Sequence, residues 1–284
     1  MDLNTPSINQ ILDTWLTEDI GRGDLTTTAI DNQICKAYWL AKEKGVLCGS
    51  EIVKQLFKKL DHSVKINLLV KDGETFNKNQ KILEIEGPAK TLLAGERTTL
   101  NLAMHLSGIA TKTSLLVAEL QGSGINLADT RKTTPGLRLF EKYAFRCGGG
   151  INHRFGLDDS AMLKENHLAW SQSIELSIAA IKKSSPWPTT IIVEAETPEQ
   201  AISAVSAGAD GILLDEISPQ IISELVPKLR ELSRQRSEGQ TLVIEASGVD
   251  PSSLKSYCQT GIDLISTSAA VTKSHWIDLS MRFE

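Results

Sequence analysis

The sequence predicts an α/β protein in two parts, a small N-terminal sheet-bearing domain followed by a (β/α) barrel. Three observations predict it. Apolar runs recur through the second half, each ending in a charged or hydroxyl residue. Two strand-like runs in the first half flank a Lys71-Asp72-Gly73 turn, and a long Leu- and Ala-rich stretch, 94–120, lies between the two halves. At 284 residues, with 41% hydrophobic and 23% charged residues, the chain is long enough for a small domain joined to a barrel-sized one.

The elements follow in order. Ile8, Ile11, Leu12, Trp15, Leu16 and Ile20 keep helical spacing, with Ser7 as the expected N-cap and Gly21 and Gly23 ending the helix. Residues 36–50 and 64–86 read as short strands, VKINLLV and KILEIEG among them, an all-β or open-sandwich pattern. The 94–120 stretch reads as a buried connector helix interrupted at Ser107-Gly108. Beyond it, strand-like runs end at Asp129, Lys164, Glu194, Asp215, Glu245 and Ser266, spaced by 35, 30, 21, 30 and 21 residues. The segments 168–182, 198–207, 219–236 and 251–259 are helical in composition, so repeated βα units imply a parallel sheet. Six strands are clear, and Ile-Asn-His at 151–153 is a candidate seventh.

Composition also excludes several classes. No apolar run approaches the roughly 20 residues that span a bilayer, and MDLNTPSINQ lacks the basic start and apolar stretch of a signal peptide. Thirty basic against thirty-five acidic residues give a net charge of −5, so nucleic acid is not an expected partner. Cys35, Cys48, Cys147 and Cys258 show no CxxC or zinc-type spacing and read as reduced, structural cysteines of a cytoplasmic protein. Arg22-Gly23-Asp24 spells an adhesion tripeptide by chance.

The chemistry concentrates in 129–167. Between Arg131 and Arg154 stand six basic residues and one acid, Glu141, a local net of +5 against −10 for the rest. Lys142 and Arg146 read as a solvated helix face. Arg131, Lys132, Arg154 and Lys164 fall at or just past strand ends, where a barrel builds its active site. Several cations converging on one mouth imply a ligand with more than one negative group. Glu194 and Asp215, also at strand ends, read equally as ion-pair partners or as ligands of Mg²⁺, which takes hard oxygen donors and shares them with phosphates. Glu196 reads as an ion-pair partner. Small residues after the last strands, Ser247-Gly248 and Ser266-Thr267-Ser268-Ala269, suit a phosphate site. His105 reads as a packed helix histidine, His153 as a candidate of the site, and His167 as its support, whereas His62 and His275 carry no signal. The chain has no P-loop, no Gly-x-Ser-x-Gly elbow and no HExxH. A cation-lined cup with acids and no evident nucleophile fits a reaction driven by positioning and electrostatics.

The runs EDIGRGDLT (18–26), GERTTLNLAMHLSGIAT (95–111), DTRKTTPGLRLFEKYAFRCGGGINHRFGLDD, MLKENH, VEAET, GADGILLDE, EASG and GIDLISTSAAVTKS resemble the quinolinate phosphoribosyltransferase family nearly end to end. The resemblance implies an open-faced α/β sandwich over 1–108 and an incomplete, seven-stranded α/β barrel over 109–270. The segment 271–284 would pack back on the N-terminal domain. It implies quinolinate and phosphoribosyl pyrophosphate as substrates, Mg²⁺ as cofactor, and a homodimer or a multiple of it. The products would be nicotinate mononucleotide, pyrophosphate and CO₂. By resemblance Arg131, His153, Arg154 and Lys164 form the quinolinate pocket, with Arg97 supplied by the partner subunit. Lys132 and Lys164 face phosphoribosyl pyrophosphate; Glu194 and Asp215 hold Mg²⁺ and the ribose hydroxyls. Ser247, Gly248, Ser266, Thr267, Ser268 and Ala269 hold phosphate, and Lys132, Lys164, Glu194 and Asp215 are the catalytic set. The sequence departs from the family pattern at Val249, where a second glycine is usual, and at Thr267-Ser268, which replaces a glycine. Two other readings keep the fold: a family paralogue associated with molybdate-transport operons, and a non-catalytic anion-binding protein. The intact set of cations and acids argues against the second.

Overall fold

The structure is a computed structural model that describes residues 3–236 and 241–284; Met1 and Asp2 of the N-terminal segment read above lie outside the described residues. In chain order the elements are α1 (Pro6–Ile20), β1 (Ile34–Ala41), β2 (Gly45–Val46), α2 (Ser50–Leu60), β3 (Lys65–Leu68), β4 (Thr75–Phe76), β5 (Lys81–Pro88) and α3 (Ala89–Glu119). Next come β6 (Asn126–Ala128), α4 (Arg138–Cys147), β7 (Ala161–Leu163), α5 (Glu165–Leu168), α6 (Ile174–Ser184), β8 (Ile191–Ala195) and α7 (Pro198–Ala207). The last are β9 (Gly211–Asp215), α8 (Pro219–Arg236), β10 (Val243–Ser247), β11 (Leu264–Ser266), α9 (Ala269–Thr272) and β12 (Leu279–Phe283). The chain divides into two compact units, one of Met1–Ser114, Leu139–Gly149 and Lys273–Glu284, the other of Leu115–Arg138 and Gly150–Thr272.

The division between the units lies close to the boundary expected at 108. It falls later, inside α3, and nearly all of α4 groups with the first unit. The expected interruption of α3 at Ser107-Gly108 is absent, because both residues serve packing inside a continuous helix. Ser107 Oγ accepts the Cys48 N–H at 3.0 Å. A Cβ on Gly108 would lie 2.0 Å from the His275 carbonyl oxygen, so this position admits only glycine.

The first unit is built on an antiparallel sheet in the order β12-β1-β5-β3. Alternation along β1 buries Ala37, Trp39 and Ala41 on one face, where Leu83 and Ile85 of β5 and Val53 and Phe57 of α2 join the core. The strand reading above assigns no helix to α2, although Ile52, Val53, Leu56 and Phe57 mark one buried helical face. Its first N–H groups are taken by a side chain distant in sequence: Asp72 accepts Gly49 N–H at 3.1 Å and Ser50 N–H at 2.9 Å. At the start of α1 the N-cap is Thr5 rather than Ser7, since Pro6 takes the first turn and Thr5 Oγ1 faces the Ile8 N–H at 3.4 Å.

On α4 the expected solvated face of Lys142 and Arg146 holds only for Arg146; Lys142 and Glu141 are buried. The Glu141 carboxylate meets His105 Nε2 at 2.9 Å, which makes His105 a packed helix histidine. The four cysteines are free thiols. Cys48 and Cys147 nevertheless converge with Asp72, their ligand-type atoms within 4.8 Å of one another. Asp72 is occupied there by the α2 N–H groups and by the Tyr143 hydroxyl at 2.8 Å.

The second unit carries a six-stranded parallel sheet in the order β6-β11-β10-β9-β8-β7. The seventh position, expected at 151–153, is a single bridge between Ile151 and Ala128 on the edge strand β6. The segment 251–257 is 3₁₀ helix, while α6, α7 and α8 supply the α-helical crossovers. With all strands parallel, Asp129, Lys164, Glu194, Asp215, Ser247 and Ser266 gather at one edge of the sheet.

Candidate active site

At that edge the second unit holds a cavity of about 520 Å³. Arg131, Lys132, His153, Arg154, Lys164, Glu194, Asp215, Ser247 and Ser266 line it, as the sequence predicts. Asp129, Thr130, Met162, Leu213 and Glu245 line it as well and carry no site role in the sequence reading. Gly248, Thr267 and Ser268 lie in the adjoining loops and Ala269 opens α9; none of them lines it. Arg97 belongs to the first unit, exposed on α3.

Each cation is presented by a specific local device. Beyond β6 the chain turns tightly: Thr130 Oγ1 accepts the Lys132 N–H at 3.0 Å, and Thr133 N–H reaches the Arg131 carbonyl at 3.0 Å. Arg138 ties this loop down by donating to Thr133 Oγ1 at 3.1 Å and to the Phe155 carbonyl at 2.9 Å. Arg131 and Lys132 are left exposed. Arg154 is half-buried and donates to the Ser160 carbonyl at 2.8 Å. Burial, and then the neighbouring charge of Arg131, push the Arg154 guanidinium below its ordinary pKa, while Asp159 pulls the other way. Two guanidiniums that repel each other at the rim of a cavity are a receptor for an anion.

Lys164 follows β7, and its backbone N–H donates to His167 Nδ1 at 3.1 Å, so His167 does support the site. The Lys164 ammonium pairs directly with the Glu194 carboxylate. Of the two roles open for Glu194, the ion pair is the one formed here. Glu194 and Asp215 end adjacent strands, β8 and β9, and offer only hard oxygen donors of the kind Mg²⁺ takes. The donor chemistry suits the metal, and in this structure one of the two carboxylates is taken by the Lys164 ammonium. Glu196 lies past the end of β8, exposed and outside the cavity, and no ion pair to it occurs among the described residues.

Both departures from the family pattern lie in the late loops. Gly248 has φ +71°, and a Cβ there would come within 2.7 Å of the Glu216 side chain, itself at φ +53°. Val249 is a buried core residue. Thr267 is buried too; its N–H bonds the Ala128 carbonyl at 3.0 Å and its Oγ1 accepts the Ala269 N–H at 3.1 Å. The loop is thus closed by a threonine hydroxyl.

A parallel α/β sheet with a cation-rimmed, acid-bearing cup at its C-terminal edge defines a polyanion-binding α/β enzyme. Residues 24–107 match the N-terminal domain, and residues 109–282 the C-terminal domain, of quinolinate phosphoribosyl transferase. The chain belongs to the quinolinate phosphoribosyltransferase family. It is 40% identical to the probable carboxylating nicotinate-nucleotide pyrophosphorylase of Bacillus subtilis, over 98% of this chain and 94% of that one. With the Homo sapiens nicotinate-nucleotide pyrophosphorylase it shares 32% identity over 96% of this chain and 90% of the other. The solved structure of NadC from Streptococcus pyogenes superimposes with a TM-score of 0.92 at 36% identity, covering 100% and 99% of the two chains.

Proposed function

We propose that this chain transfers the phosphoribosyl group of phosphoribosyl pyrophosphate to quinolinate with decarboxylation, the carboxylating nicotinate-nucleotide pyrophosphorylase step of NAD biosynthesis. The observation that carries the reading is the convergence of Arg131, Lys132, Arg154 and Lys164 on one cavity that Glu194 and Asp215 also line. Quinolinate is a dicarboxylate and its co-substrate a polyphosphate, so both need converging cations.

The ring nitrogen of quinolinate attacks C1 of the ribose as the C1–O bond to pyrophosphate breaks. The nitrogen is then cationic. When the adjacent C–CO₂ bond breaks, its electron pair stays on the ring carbon as an ylide that the neighbouring cationic nitrogen stabilises, and a proton from solvent then adds to that carbon in place of the carboxylate. Arg131 and Arg154 hold the dicarboxylate, Lys132 and Lys164 face the leaving pyrophosphate, and Glu194 and Asp215 order the ribose hydroxyls. The turns at Ser247-Gly248 and 266–269 receive phosphate. No protein nucleophile is required; the chain's contribution is alignment and fixed charge. Mg²⁺ held by Glu194 and Asp215, directly or through water, would neutralise pyrophosphate charge. Arg97 of a second copy of the chain completes each cup, in the cytoplasm.

Pyrophosphate release from purified protein tests this. It should require quinolinate, phosphoribosyl pyrophosphate and Mg²⁺ together, stop with chelator and resume with added Mg²⁺. Release that proceeds without quinolinate overturns the reading.

A further inference from the structure

The segment that carries Arg154 has little regular structure to hold it. Ile151 makes one bridge to β6, and no strand follows until Ala161. Beside the bonds of Arg154 to the Ser160 carbonyl, of Arg138 to the Phe155 carbonyl and of Phe155 N–H to Asp159, it is held by a brace of two buried carboxylates from other strands. Asp129, at the end of β6, accepts His153 N–H on Oδ1 at 2.8 Å and the Asn152 side-chain amide on Oδ2 at 2.6 Å. Glu245, in β10, meets His153 Nε2 through Oε2 at 3.2 Å. The side chain of His153 is 10% exposed and that of Glu245 3%.

The His153 ring is assigned by its neighbours. Nδ1 accepts the backbone N–H of Arg154 at 2.7 Å and therefore carries no proton. The ring proton sits on Nε2 and is donated to Glu245. Both ring nitrogens are thus engaged by the protein, and one of them fixes the backbone of Arg154. His153, Arg154 and Glu245 also line a second cavity of about 300 Å³, beside Thr190, Asp210 and Val243, so the brace is the partition between that cavity and the cup. Glu245 Oε1 is buried with no hydrogen-bond partner among the described residues.

We propose that Glu245 is a positioning residue of the dicarboxylate pocket, acting with Asp129 through His153 to aim Arg154 into the cup. It never needs to touch substrate. The inference rests on the reading of the cup as the quinolinate site, and its test has an arm independent of that reading.

The independent arm is nitrogen-15 NMR of the histidine rings in the substrate-free protein, with the His153 signals identified by their loss in His153→Gln. His153 should be the Nε2–H tautomer; an Nδ1–H tautomer overturns the brace whatever the enzyme turns over. The second arm is kinetic. Glu245→Ala should raise KM for quinolinate roughly 10–100-fold, the range seen when a group that orients a ligand is lost, while KM for phosphoribosyl pyrophosphate stays within about threefold. Glu245→Gln keeps an oxygen acceptor for Nε2–H and should preserve both the tautomer and most of the quinolinate affinity. Should Glu245→Ala fail to fold, Asp129→Asn carries the test, because an amide nitrogen facing Asn152 breaks the same brace and should give the same quinolinate-selective rise. An unchanged quinolinate KM, or equal rises for both substrates, overturns the proposal. A wild-type protein that ignores quinolinate but shows the Nε2–H tautomer removes the function and leaves the brace.

Discussion

Lys164 is asked to do two things that oppose each other. In the resting cup its ammonium neutralises Glu194, and in the proposed reaction it faces phosphate, which releases Glu194 toward Mg²⁺ and the ribose hydroxyls. Lys164→Ala should therefore lower kcat by about 10²–10³, the usual loss when one preorganised charge is removed, and steady-state rates over a Mg²⁺ series check it. In the proposed reaction Arg131 and Arg154 together favour a dicarboxylate. Nicotinate carries one carboxylate and leaves part of this charge without a partner. Turnover of nicotinate should fall far below that of quinolinate in direct competition. A third expectation concerns thiols. A hydrogen bond from Cys48 is the main cause that holds Cys147 below the ordinary thiol pKa, whereas burial pushes Cys48 well up. As pH rises, Cys147 becomes thiolate first, so iodoacetamide near pH 8 should label Cys147 before Cys48, read by peptide mass.

Elements explain which of these residues were legible in the sequence. Arg131, Lys132, Lys164, Glu194 and Asp215 each close a strand or its loop, so periodicity alone brings them to one edge. Glu245 sits in the same kind of strand, but its partner His153 comes from a distant segment with no pattern of its own, and the brace was invisible. Lys142 was misread for a related reason: i, i+4 spacing marks a face, and only packing tells whether water or protein covers it. Gly108 shows the same ambiguity within α3. As a sequence signal it breaks a helix; in the fold it makes room for the His275 carbonyl. Gly108→Ala should destabilise the protein by about 1–3 kcal/mol or more through overpacking, despite alanine's better helix propensity, and urea unfolding with an unchanged m-value would show it. A stabilised variant would return Gly108 to the role of a helix interruption.

At the scale of the whole molecule, the order of strands and the family match agree on a parallel α/β sheet bearing the cup. No helix of the described residues is long and apolar enough to cross a membrane. Assembly carries the sharpest global expectation. If Arg97 completes the cup of a second copy, Arg97→Ala and Lys164→Ala are each inactive alone, yet subunit exchange between them should restore activity toward one working site per dimer. A narrower expectation than assembly is that one cup performs both transfer and decarboxylation. It is tested most directly by quinolinate labelled at the carboxyl next to the ring nitrogen, with CO₂ and pyrophosphate measured from the same reaction. One labelled CO₂ should appear per pyrophosphate, with both lost together in Lys164→Ala. Pyrophosphate released without labelled CO₂ would contradict it.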